Sequence, residues 1–178
     1  MIKRIKYYML IVLCFAILSC QSTSPEHFFD QVVLNTNYIV DFAPERFGKE
    51  LEAQTIEYPD IPASKKKGDE AQNVVQNKVI AIERALENIK ALRAGDDEMK
   101  MLKENSIELF ETVLPVYKKE YMEYARLCDS KEPSSQKEAI LHAIDSIYLP
   151  KVAELMENVY QKGKNYADKH HIDVKWGR

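Results

Sequence analysis

Residues 69–95 read DEAQNVVQNKVIAIERALENIKALRAG. Val75, Val79, Ile82, Leu86 and Ile89 recur at 4-3-4-3, which lays one apolar seam along a helix and leaves the charges on the other face. Asp69 and Gln72 have the spacing of a capping box, in which the acid accepts from a free backbone amide and the glutamine reaches back. Gly95 suits the left-handed position that ends a helix. The stretch predicts one helix over about 70–94.

The same period continues downstream. A second helix opens at Asp96 or Asp97, whose carboxylates complement the positive end of the helix dipole. Its seam reads Leu102, Ser106, Phe110, Val113, Tyr117, Tyr121 (or Glu120), Tyr124, Cys128. Asp129 to Ser134 interrupts it, helped by Pro133. Ser135 and Glu138 form another capping box, opening a helix through Leu141, Ile144, Tyr148, Val152, Leu155 and Val159 to about 166.

Upstream, Ser24-Pro25-Glu26 reads as an N-cap, a proline at the first helical position and an acid in the first turn. Phe29, Val33, Thr36, Val40, Ala43, Phe47 and Leu51 keep one register, so a helix over 25–54, bent at Pro44, is expected. Two short strands, Gln31–Leu34 and Tyr38–Phe42, are the competing reading, because both are rich in β-branched residues. Thr55 to Gly68, with Pro59, Pro62 and Lys65-Lys66-Lys67, is a long loop. Four amphipathic helices of roughly 25–32 residues, each about 40–48 Å long at ~1.5 Å per residue, predict an all-α, up-down-up-down antiparallel four-helix bundle over 25–168. Residues 169–178 read as a polar C-terminal tail with one tryptophan.

Pro115 and Pro150 stand inside helical pattern, and an interior proline removes an amide donor and clashes with the carbonyl four residues back. The freed carbonyls belong to Glu111 and Ser146. Either aligned kinks open a central pocket lined by Tyr117, Tyr121, Tyr124 and Tyr148, or the helices break or bend around an ordinary core. As core, the tyrosines bury their rings while their hydroxyls seek partners. As a functional surface, they line a ligand cavity or form a partner-docking face.

The chemistry-bearing patterns are missing. There is no Cys-x-x-Cys-His, no Gly-rich phosphate loop and no Gly-x-Ser-x-Gly elbow. The paired Glu-x-x-His of a carboxylate-bridged metal site does not occur. Glu138 and His142 stand four apart on one face, but two ligands do not make a site. His170-His171 with Asp168 and Asp173 offers no more than adventitious metal binding. The expectation is a protein without catalytic activity, metal or cofactor.

The first twenty residues carry the most specific signal. Lys3, Arg4 and Lys6 precede the apolar run Met9 to Leu18, which closes on Ile17-Leu18-Ser19-Cys20. A basic head, an apolar middle and a small-residue cut site make a secretory signal peptide. Tyr7 to Ser19 is thirteen residues, too short for a bilayer span of roughly 20. The closing four residues resemble the lipobox of bacterial lipoproteins, with Ile17 where leucine is commonest. The resemblance implies that residues 1–19 are cleaved as a signal peptide and that Cys20 is diacylated. It implies that residues 20–24 form a lipidated N-terminus and short linker tethered to a membrane of the cell envelope. By analogy with sorting in Gram-negative bacteria, Gln21 in place of Asp implies the outer membrane, and the absence of acids over Gln21–Ser24 implies the periplasmic side.

Cleavage changes the charge. It removes three of the 25 Lys+Arg and none of the 28 Asp+Glu, leaving 22 against 28, a formal charge of −6. Such a surface does not suit a phosphate backbone, so nucleic acid is not an expected partner. It also carries no polybasic patch for anionic lipid, leaving the acyl anchor as the route to the membrane. Cys14 leaves with the leader and Cys20 is acylated, so Cys128 has no internal disulfide partner. It is either a small buried hydrophobe or a reactive thiol. The sequence therefore points to an envelope interaction or accessory protein with an unidentified protein partner. A carrier of a small molecule or lipid, using a cavity near Pro115 and Pro150, is the alternative.

Overall fold

Helices form where the apolar periods lie. A computed structural model describes residues 23–176, which contain helices and no strand. Helix α1 spans Pro25–Val32 and α2 spans Pro44–Gln54, with a 3-10 turn, Leu34–Ile39, between them. Helix α3 spans Glu70–Ala91. Helix α4 covers 97–129 as Asp97–Val116, a π segment Tyr117–Tyr121 and Met122–Asp129. Helix α5 covers 134–169 as Ser134–Ala143, a π segment Ile144–Tyr148 and Leu149–Lys169. No helix among the described residues is long and apolar enough to cross a membrane. The expected leader over 1–19 and the expected acylation at Cys20 fall outside the described residues.

The segment 25–54 is not one bent helix, nor is it two strands. Ser24 does cap α1, its hydroxyl accepting from the His27 amide at 3.2 Å. The helix then tightens into the 3-10 turn, where the buried Thr36 hydroxyl donates to the Val33 carbonyl at 2.6 Å. Ala43 is extended (φ −60°, ψ 126°), the conformation that a following proline imposes. Pro44 therefore starts α2 instead of bending a longer helix.

Charged contacts on the surface mark how the helices run, although exposed pairs add little stability. Lys90 meets Glu111 at 2.6 Å and Lys118 meets Glu83 at 2.5 Å, so α3 and α4 are antiparallel. Lys151 reaches Glu108 at 3.6 Å and Lys169 pairs with Glu98, so α4 and α5 are antiparallel as well. The 25–54 segment runs alongside α4 in the same direction. Ser106 Oγ donates to the Val32 carbonyl at 2.8 Å, and farther along the Tyr121 hydroxyl donates to the Phe42 carbonyl.

The seams are buried as their spacing predicts. Val75, Val79, Ile82, Leu86 and Ile89 line the core, as do Leu102, Phe110, Val113 and the tyrosines of α4. The α4 seam steps 4-4-3-4-4-3-4, running ahead of the 4-3-4-3 of α3. The π segment absorbs the excess: the Met122 amide reaches the Tyr117 carbonyl, five residues back, and places one more residue in the turn. In α5 the Leu149 amide reaches Ile144 in the same way. The helices continue past both prolines. Pro115 and Pro150 are exposed, and so are Glu111 and Ser146, whose freed carbonyls lie on the water side.

Three end features differ from expectation. Asp69 makes no capping bond, and α5 begins at Ser134 without a side-chain cap, so neither capping box forms. Helix α3 stops at Ala91, and of the glycines only Gly68 has positive φ, at 93°, among the described residues. The described part of the polar tail also folds back, which its composition did not foretell. His171 turns through φ 56°, the Ile172 amide returns to the Ala167 carbonyl at 2.9 Å, and Ile172 and Val174 pack on the core. The helix thus ends in a left-handed cap of the Schellman type, which aims the chain back along α1.

Candidate functional site

The tyrosine stripe lies at the centre of the molecule. Tyr117 and Tyr121 are fully buried and stacked, their ring centroids 5.1 Å apart. Phe42 and Phe47 stand edge-on to both, Phe47 at 5.4 Å from Tyr117 and 4.8 Å from Tyr121. Such edge-to-face contacts match the positive ring edge to the negative ring face. The hydroxyls find partners in the link between the 3-10 turn and α2. Tyr117 donates to Asp41 Oδ1 at 3.2 Å, and Tyr121 to the Phe42 carbonyl. Lys78 Nζ donates to Asp41 Oδ2 at 2.6 Å and sits 5.5 Å from the Phe47 ring centre.

Burial, then the Asp41 carboxylate, pushes both phenols well above their ordinary range. They donate to Asp41 and the Phe42 carbonyl, and Lys78 shares that carboxylate. Tyr124 is buried beside Gly48, whose Cβ position lies 3.4 Å from its hydroxyl. Burial, then Cys128 and Glu52, raises its phenol too. Tyr148, half-buried on α5, joins none of these ring pairs among the described residues. The structure therefore brings Tyr117 and Tyr121 together, leaves Tyr148 apart, and packs rings at the level of the alternative pocket, in line with the ordinary-core reading.

Cys128 is buried, and burial pushes its thiol from 9.0 to about 11. A thiol so protonated is a poor nucleophile. Glu138 and His142 are exposed, while His170 lies tilted against Tyr166 with ring centres 4.3 Å apart. Among the described residues no three His, Cys, Asp or Glu side chains come together as metal ligands.

Two surface features were not legible in the periodicity. At the end where α2, the loop and the start of α3 meet, Ile56, Tyr58 and Ile61 are 47, 56 and 52% exposed. Tyr58 and Ile61 line a concavity of about 320 Å³ held by Ser64, whose hydroxyl bridges the backbone of both. The second is a groove of about 580 Å³ between the 3-10 turn, α5 and the folded-back tail. Trp176 forms one wall, edge-on to Phe29 at 5.9 Å and to Tyr160 at 6.3 Å. Proline and lysine content marked the loop in the sequence, whereas the groove depends on a chain reversal that the polar tail gave no sign of.

No family model, curated protein or solved structure matches this chain.

Proposed function

We propose that the chain is a non-catalytic lipoprotein, acylated at Cys20 and facing the periplasm from the outer membrane of a Gram-negative bacterium. In this reading its legs form an up-down-up-down bundle that holds a docking loop away from the bilayer for a protein partner. The placement of the two ends carries the reading. Pro25, close in sequence to Cys20, begins a helix that packs near the end of α5, with Phe28 5.4 Å from Tyr166. The C-terminus of α3 lies at that same end, where Lys103 Nζ donates to the Leu92 carbonyl at 2.6 Å. Ile56, Tyr58 and Ile61 lie beyond the other end of α3, whose 22 residues extend about 33 Å at ~1.5 Å each. Exposed apolar side chains rimmed by polar residues are the usual mark of an interaction site, and an anchored stalk presents them outward.

The test has two parts. Cys20→Ser should abolish acylation and membrane partition, read by mass and by fractionation. An acylated, membrane-bound C20S protein would overturn the anchor. A photo-crosslinking residue at Tyr58 should capture one discrete partner in intact cells, and one at Met101, on the opposite end, should not. Capture at Met101 alone would place docking elsewhere.

A further inference from the structure

The groove beside Trp176 combines an apolar surface with a cationic one. Leu34, Val40 and Trp176 expose 37, 43 and 36% of their surface around it. Arg46, Lys164 and Lys175 also line it, and none of the three forms an ion pair among the described residues. Among the described residues the one lining acid is Glu157, which accepts instead from Gln161 Nε2 at 2.6 Å. Three cations against one acid give the lining a formal charge of +2, on a chain whose own charge is −3. About 580 Å³ is within the ~300–1,000 Å³ of small-molecule sites.

We propose that this groove binds a single-chain anionic amphiphile, its carboxylate or phosphate head against Arg46 and Lys164 and its apolar chain against Val40 and Trp176. The two surfaces select the class together. A simple anion would leave the apolar wall wet, and a neutral hydrocarbon would desolvate cations without pairing them, which is costly. Arg46 presents a planar fork of donors suited to either head group. The tail is what makes the site: without the reversal at His171, Trp176 and Val174 would not wall the groove. This function is separate from loop docking and stands or falls without it.

Trp176 is the only tryptophan of the chain, so its emission reports the groove directly. The experiment titrates the full-length chain carrying Cys20→Ser with dodecanoate and with dodecyl phosphate, both below their micellar concentrations. Either should shift Trp176 emission and saturate at one molecule per chain. Arg46→Gln with Lys164→Gln, both exposed positions, should weaken binding at least tenfold, and Val40→Glu should do likewise. Lys162→Gln, exposed and outside the groove, should leave binding unchanged and excludes a mere loss of net charge. Dodecanol binding as tightly as dodecanoate would overturn the proposal, as would an unaffected double variant. A Trp176 response to phosphatidylglycerol vesicles but not to either monomeric amphiphile would also overturn it, marking the surface as a membrane-contact face.

Discussion

The Asp129 carboxylate, in the last turn of α4, accepts from the Ala71 backbone amide at 3.0 Å, across 58 residues of sequence. Its other oxygen takes the Gln72 amide and the Gln72 Nε2, each at 3.0 Å. A helix start needs an acceptor for its free amides, and here the neighbouring helix supplies it. Glu70 turns outward instead, accepting from the amides of Lys67 and Gly68 at 2.7 and 3.1 Å to shape the approach to the helix.

Asp129→Ala should therefore cost about 1–2 kcal/mol, the usual loss for an N-cap acceptor. Asp69→Ala should stay within about 0.5 kcal/mol, as for a surface change away from such features. Urea unfolding of both variants measures the contrast. Equal losses would mean that Asp69 caps α3 in solution.

Two helical glycines mark close approaches, and they should respond differently to alanine. A Cβ at Gly163 would stand 2.8 and 2.9 Å from the two γ-methyls of Val33. A β-branched side chain has little freedom to move aside. Overpacking of this kind costs about 1–3 kcal/mol, more than the roughly 0.5–1 kcal/mol that alanine gains over glycine in a helix. Gly163→Ala should destabilise, and adding Val33→Ala should show a favourable coupling in a double-mutant cycle. At Gly48 the nearest atoms are the flexible Leu141 methyls at 3.0 and 3.3 Å, so Gly48→Ala should be close to neutral.

The π segments predict where α4 tolerates a deletion. Lys119 lies within Tyr117–Tyr121 with its side chain 83% exposed. Removing it should convert the π turn to α while Val113 and Tyr124 keep their faces, at a cost near ~1 kcal/mol. Removing the exposed Glu108 from regular helix rotates the following residues by about 100° relative to those before. That change should throw Leu109 to Val116 off the seam and unfold the protein. Circular dichroism with urea midpoints distinguishes the two. A Lys119 deletion as damaging as the Glu108 deletion would show that the extra residue is not what the π segment accommodates.

Stability should fall in alkali from about pH 9 upward. The Cys128 thiol is held up at about 11 and the Tyr166 phenol at about 12, and those of Tyr117, Tyr121 and Tyr124 are raised further by burial. The unfolded chain sheds these protons near ~8.5 for thiol and ~10 for phenol. Between those values and the folded ones, the native state holds more protons than the unfolded chain, so the slope of stability with pH is negative. The contribution is complete below about pH 8.5 and is lost progressively as pH rises through 11 and 12. Urea midpoints at pH 8, 9, 10 and 11 give the curve, and absorbance at 295 nm dates phenol ionisation. A flat profile to pH 11 would contradict the assigned burial.

Much of the architecture was legible because it is local. The seams of Val75 to Ile89 and Leu102 to Cys128 repeat at intervals that only a helix can place on one side, and each is buried. The same repeat through Val33, Thr36 and Val40 misled, because Pro44 fixes the residue before it in an extended conformation and a period cannot register that break. Tyr117 and Tyr121 were legible as buried rings. Their hydroxyl partners were not, since Asp41 and Phe42 lie more than seventy residues away.

The amino-acid sequence by itself determined the helical class, the core-facing residues of α3, α4 and α5, the Ser24 cap and the acidic start of α4, because each rests on neighbours within one or two turns. Tertiary structure alone decided that Asp129 rather than Asp69 caps α3, that the tail folds back, and that the open space lies at Trp176 rather than among the tyrosines. A free amide or a buried hydroxyl can be satisfied by any acceptor that packing brings within about 3 Å, and no interval along the chain specifies which one that will be.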